Sequence, residues 1–119
     1  MQLRLLPQNL SVARYDVLPK TPMGFYSLSC TEDEISLVAE TERLPLGYTH
    51  REDGWRAFCV VGDLDFSLVG VLSSISTALA EGGVSIFALS TYNTDYILVK
   101  EERLAAARDA LTKKGYIII

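Results

Sequence analysis

Three aspartates stand where a folded chain could gather them around a small molecule. Asp63 and Asp65 belong to the run Val61-Gly62-Asp63-Leu64-Asp65, and Asp95 ends the polar stretch Ser90-Thr91-Tyr92-Asn93-Thr94-Asp95. The first two fall between an apolar strand and a helix, where free backbone N–H groups converge. A carboxylate there can hold the amine of a ligand while the N–H groups take up its carboxylate. The plainer alternative is that one aspartate caps the helix and the other faces water. Asp95, just ahead of an apolar strand, has three roles open to it: holding a cation, capping the turn, or orienting Thr91.

No other side chains form a reactive set. His50 is the only histidine, set beside Tyr48, Thr49 and Arg51 in what reads as a loop. A catalytic triad needs base, nucleophile and orienter together, and nothing marks a serine or cysteine as activated. Cys30 and Cys59 lack the Cys-x-x-Cys spacing of a metal or redox centre, and both are expected to be buried and reduced. Gly62 and Gly70 do not make a dinucleotide fingerprint, which needs three closely spaced glycines on a parallel βαβ unit. Gly70 is expected inside the helix, at a cost of about 1 kcal/mol against alanine, a sign of close backbone packing. The sequence therefore offers no catalytic residues, no metal site and no cofactor.

The elements that position these residues are clearest in the second half of the chain. Trp55–Val61 is an apolar run between Gly54 and Gly62, the pattern of a strand. Leu68, Leu72, Ile75 and Leu79 then recur at helical spacing, after Asp65 or Ser67 as cap and before Gly82-Gly83 as stop. Val84–Leu89 and Tyr96–Val99 read as paired strands. A helix from about Glu101 to Lys114 follows, its acidic start and basic end matched to the helix dipole. Leu104, Ala107, Arg108 and Leu111 set its inner stripe, and Gly115 leads to a last strand, Tyr116–Ile119. The order βαββαβ predicts an α+β, ferredoxin-like unit: a four-stranded antiparallel sheet with both helices on one face. The opposite face of that sheet is too apolar for water and needs a cover.

The first half is rich in strands and has no long amphipathic helix. Leu3–Leu6 and Ser11–Tyr15 are split by Pro7-Gln8-Asn9. One helical turn is allowed before Gly24, and Phe25–Cys30 with Ile35–Glu40 reads as a hairpin through Thr31-Glu32-Asp33-Glu34. Pro45, Gly47 and Arg51-Glu52-Asp53-Gly54 mark a boundary. The domains are thus 1–50, a smaller and degenerate β-rich subdomain that can supply the cover, and 55–119. Any internal repeat is expected in fold and not in letters.

Composition narrows the partners. The chain has 119 residues, is 49% hydrophobic and carries a net charge of −4, a globular makeup without the basic face that nucleic acid requires. No run is apolar enough for a signal peptide or a membrane span, which points to a cytoplasmic protein with no membrane partner.

Residues 61–72, VGDLDFSLVGVL, followed by residues 83–99, GVSIFALSTYNTDYILV, carry a resemblance. They resemble the ACT domain family, in particular the small bacterial members related to the regulatory part of aspartate kinase and to the eukaryotic cytosolic arginine sensor. The likeness runs strongly over residues 55–119 and more weakly through Phe25–Ser29 and Glu34–Val38. It implies an amino-acid ligand held between two ACT-like units. By position, Gly62, Asp63, Leu64 and Asp65, with Phe66 and Ser67 at the rim, form one wall; Thr91, Tyr92 and Asp95 form the other. The match carries no kinase domain, and a chain with two units needs an internal interface or a homodimer to make comparable pockets. The resemblance implies a non-catalytic sensor. The alternative is an ACT-like scaffold that binds a protein partner and has lost its small-molecule site.

Overall fold

The computed structural model describes residues 1–62 and 70–119. In chain order the elements are β1 (Gln2–Leu5), β2 (Leu10–Tyr15), β3 (Tyr26–Cys30), β4 (Ile35–Glu40), β5 (Tyr48–Val60), α1 (Val71–Glu81), β6 (Phe87–Ser90), β7 (Asp95–Lys100), α2 (Leu104–Lys113) and β8 (Ile117–Ile118). They divide into two compact units, Met1–Pro7 with Arg56–Ile119, and Gln8–Trp55.

In the unit built on Arg56–Ile119, β6 pairs with β7 and β7 with β5. The sequence predicts four antiparallel strands; the sheet has a fifth. β1 lies between β5 and β8, antiparallel to the first and parallel to the second. The reason is side-chain alternation. Leu3 sits opposite Val60 and Leu5 opposite Phe58, so β1 sends its leucines to the helix-covered face. There Leu3, Phe58, Val60, Ile97 and Val99 pack against Ile75, Ala78, Leu79, Ala107 and Leu111. This is the ferredoxin-like α+β arrangement that the periodicity predicts.

Two details of the helices differ from expectation. Gly70 is not inside α1 but caps it, at φ 81°, and its carbonyl accepts the first helical bond from Ser74 N at 2.8 Å. The close approach lies at the other end. A Cβ on Gly82 would stand 2.7 Å from Ala110 Cβ, so the missing side chain lets α1 and α2 meet. On α2 the inner stripe is Leu104, Ala107, Ala110 and Leu111; Arg108 is exposed on the outer face.

The unit Gln8–Trp55 has the strand order β3-β4-β2-β5, all antiparallel. Tyr48–Gly54 is part of β5 and not a boundary loop. Its backbone pairs with β2, from Leu10 opposite Trp55 to Tyr15 opposite Tyr48, with two irregularities in register. The polar side chains that suggested a loop are largely exposed along this strand while its backbone is paired. No helical turn forms before Gly24. The core of this unit is Ala13, Tyr15, Leu37 and Ala39, with Leu28, Ile35, Leu44 and Tyr48 packed against it.

The two units repeat one another, and the repeat extends to letters. Thr31–Leu44 and Thr91–Leu104 align at a constant spacing, sharing Thr31 with Thr91 and Glu42-Arg43-Leu44 with Glu102-Arg103-Leu104. β4 and β7 bury the same positions along their length, and each is followed by a 3₁₀ turn, at Thr41–Arg43 and at Glu101–Arg103. The copies part at the next residue. Leu104, followed by Ala105, is helical at φ −61°, ψ −42° and opens α2. Leu44, followed by Pro45, is extended at φ −64°, ψ 120°, because the proline ring crowds a helical residue before it. The proline thus keeps Leu44 from the helical conformation with which Leu104 opens α2.

Candidate functional site

The turn between β6 and β7 is built by its own hydroxyls. Thr91 N donates to Thr94 O at 2.8 Å, Thr91 Oγ1 donates to the same carbonyl at 3.1 Å, and Thr94 N donates to Thr91 Oγ1 at 3.3 Å. Asp95 fastens the base of this turn. Its Oδ1 accepts a bond from Ser90 Oγ at 2.6 Å, the residue directly opposite it across the two strands. Thr91 is oriented by Thr94 and not by Asp95. Tyr92 stands 80% exposed at the tip.

This turn is fastened to the end of β5. Thr94 Oγ1 donates to Val60 O at 2.8 Å, and Val61 N in turn donates to Gln2 O at 3.1 Å. Gly62 follows at φ 97°, a left-handed conformation that side chains other than glycine tolerate poorly. The end of β5 and the polar turn, whose bonded residues are 34 positions apart in the chain, are therefore neighbours. Of the residues singled out in the sequence, the structure gathers Gly62, Thr91, Tyr92 and Asp95 at this end of the sheet. Asp63, Leu64, Asp65, Phe66 and Ser67 lie outside the described residues.

Sequence reasoning missed Thr94 and Ser90. The hydroxyl of Thr91 signals the closed turn, but Thr94 enters that turn through its backbone, as Glu34 does after Thr31, so nothing local marked its side chain. The repeat adds a contrast. Ser90 and Asp95 correspond to Cys30 and Ile35, an equivalent cross-strand pair in the other unit. The hydroxyl and carboxylate of one copy are replaced by a thiol and an alkyl group in the other.

Elsewhere the chemistry is sparse. Among the described residues no three of His, Cys, Asp and Glu come together as metal ligands. His50 is an exposed residue of β5, opposite Arg14, with Nδ1 3.0 Å from Thr49 Oγ1. Both cysteines are free, but Cys30 is exposed and Cys59 only half-buried, against the expectation of burial. Cys30 ends β3, which among the described strands pairs with β4 alone. Cys59 lies beside Tyr96, whose hydroxyl is held above the ordinary tyrosine range by burial and, secondarily, by that thiol. A groove of about 470 Å³ runs between α1 and α2 past Ala78, Gly82 and Ala110, and none of the candidate residues lines it. No helix among the described residues is long and apolar enough to cross a membrane.

A βαββαβ unit with both helices on one face, joined to a second copy stripped of its helices, defines a ferredoxin-like α+β protein of the ACT type. A family model described as ACT domain matches residues 50–113, and the chain belongs to the ACT domain family. It is 30% identical over 101 residues to the rat (Rattus norvegicus) protein named cytosolic arginine sensor for mTORC1 subunit 1. That match takes in 79% of this chain and 30% of the rat protein. The crystal structure of protein Atu0741 from Agobacterium tumefaciens is similar at a TM-score of 0.88 and 28% identity, covering 99% of this chain and 91% of that one. The regulatory subunit of aspartate kinase from Thermus thermophilus shares the fold at a TM-score of 0.63 and 12% identity, covering 95% and 96% of the two chains.

Proposed function

We propose that this chain is a non-catalytic regulatory module that binds a free amino acid. Gly62, Asp63, Leu64, Asp65, Phe66 and Ser67 make one wall of its site, and Thr91, Tyr92 and Asp95 the other. The ligand is held where this ACT unit, residues 55–119, meets an ACT-like unit of a second chain. The aspartates hold the amine, backbone N–H groups meet the carboxylate, and no cofactor takes part. Binding shifts the population of two subunit arrangements by favouring one of them. The reading is supported above all by one observation, the bond from Thr94 to the carbonyl of Val60, two residues before Gly62. The resemblance to a protein named as an arginine sensor supports an amino acid as the ligand class.

The test is a thermal-shift screen of the purified chain against the standard amino acids, with calorimetric titration of each hit. A saturable hit that Asp95→Ala removes, in a variant that melts like the wild type, establishes the sensor. Val17, Leu18, Met23 and Leu46 are 79%, 59%, 76% and 87% exposed, and these exposed apolar side chains favour a second reading, a scaffold for a protein partner. A flat response from ligand-free, folded protein would select that reading.

A further inference from the structure

Thr91 N donates to Thr94 O at 2.8 Å, which makes Thr91 and Thr94 the hydrogen-bonded pair that closes β6 on β7. Antiparallel alternation makes the next pair, Ser90 opposite Asp95, a non-hydrogen-bonded one. Side chains stand closest across such a pair, so a serine there reaches a facing carboxylate directly. Its hydroxyl does so at 2.6 Å, donating to Asp95 Oδ1. That length is typical of an O–H bonded to an ionised carboxylate.

The bond fixes a side chain that is otherwise free to turn about its own torsions. Asp95 is half-buried, and Ile97, the next residue on its side of β7, lies in the core packed against the helices. The carboxylate thus stands at the end of the strand, on the side of the sheet that the helices cover. Ser90 holds Oδ1, and Oδ2 has no partner among the described residues.

The other hydroxyl hydrogens of the turn are committed within the chain as well. Thr91 Oγ1 donates to Thr94 O, and Thr94 Oγ1 donates to Val60 O. These hydroxyls can present only lone pairs to a ligand, which accept from an ammonium and repel a carboxylate.

We propose, on the amino-acid reading above, that Ser90 is the positioning residue of the amine subsite. By donating to Asp95 Oδ1 it holds the carboxylate with Oδ2 turned to the ammonium of a bound amino acid. Ser90 acts through Asp95 and not on the ligand. The matching pair of the other unit, Cys30 opposite Ile35, has neither the hydroxyl nor the carboxylate and forms no such subsite.

The test is calorimetric titration of the full chain as wild type, Ser90→Ala, Ser90→Thr, Asp95→Asn and the double variant Ser90→Ala with Asp95→Asn. Circular dichroism verifies folding. The probes are the standard amino acids and, for each that binds the wild type, the same molecule with hydrogen in place of its α-amine. Ser90→Ala is expected to weaken the amino acid about tenfold and to leave its amine-free counterpart unchanged. Ser90→Thr is expected to keep the wild-type affinity, and Ser90→Ala to add no loss once Asp95 is replaced. Equal weakening of both probes by Ser90→Ala, or a full further loss in the double variant, overturns the proposal and leaves the amino-acid reading standing. A wild type that binds no standard amino acid overturns both. If Ser90→Ala does not fold, Ser90→Cys, which swaps the hydroxyl for a weak donor of similar size, is judged by the same outcomes.

Discussion

The hydroxyl of Thr94 donates to the carbonyl of Val60 over 2.8 Å, and this bond joins the turn after β6 to the end of β5. It is a side-chain bond to a strand-end carbonyl, so its loss is felt in both stability and alignment. Thr94→Val keeps the shape and removes the donor, leaving that carbonyl with the weak Cys59 Sγ donor at 3.5 Å. The expected cost is about 1 kcal/mol in urea unfolding, with weaker ligand binding in calorimetry. Thr94→Ser should retain both. Equal behaviour of the two variants would show that the bond does not hold the site.

Asp95 carries a hydroxyl bond in one unit where Ile35 stands in the other. If the carboxylate receives the ligand amine, Asp95→Asn should weaken binding about tenfold or more, equivalent to about 1.4 kcal/mol, without lowering the melting temperature. The same asymmetry predicts one ligand per chain and not two. Calorimetric stoichiometry reads this directly, and two equal sites per chain would contradict it.

Gly82 is extended neither in φ, at −83°, nor in reach, for any Cβ would press on Ala110. Gly82→Ala should therefore destabilise by overpacking, by about 1–3 kcal/mol. Pairing it with Ala110→Gly should recover part of the loss, less the helix cost of the new glycine. Additive losses in the double variant would place the strain elsewhere.

Ser11 is fully buried, its hydroxyl bonded to Thr41 Oγ1 at 2.9 Å and donating to Asp53 Oδ1. It ties β2 to the 3₁₀ turn and to β5 in the unit that lacks helices. Ser11→Ala should cost about 1–3 kcal/mol in chemical unfolding, since a buried network loses its centre. A loss within a few tenths of a kcal/mol of zero would show that Thr41 and Asp53 re-pair by themselves.

Stability should fall in alkaline solution. Burial raises the hydroxyl pKa of Tyr15, with Tyr48 adding and Arg51 opposing; burial raises that of Tyr96, with Cys59 adding. The folded chain then keeps protons that the unfolded chain releases. The contribution is complete below about pH 10 and is lost as pH rises through the raised folded values. Urea midpoints measured from about pH 8 to about pH 11 should decline above pH 10, and Tyr96→Phe should lessen the slope. An unchanged slope would assign the effect to other groups.

Much of the fold was legible because it depends on short-range pattern. The apolar runs Trp55–Val61 and Tyr96–Val99, the helical spacing of Ile75 and Leu79, and the glycines at 82–83 each act within a few residues. They identified the βαββαβ order, and the run from Val61 to Val99 carried the family resemblance. Tyr48–Gly54 was misread for the opposite reason. Its polar letters describe side chains, whereas its strand state comes from backbone pairing with β2, which local composition does not record. The repeat between Thr31–Leu44 and Thr91–Leu104 was present in the letters, but only the matching burial of β4 and β7 gave it meaning.

The sequence by itself determined the class of fold, the polar turn from Ser90 to Asp95, and the extended backbone of Leu44, since a following proline disfavours the helical region. Tertiary structure alone decided that β1 inserts between β5 and β8, that Gly82 rather than Gly70 is the close contact, and that Thr94 reaches Val60. Each of these is a meeting of residues far apart in the chain. Such contacts depend on which hydrophobic faces are buried together, and that is settled by the whole chain at once.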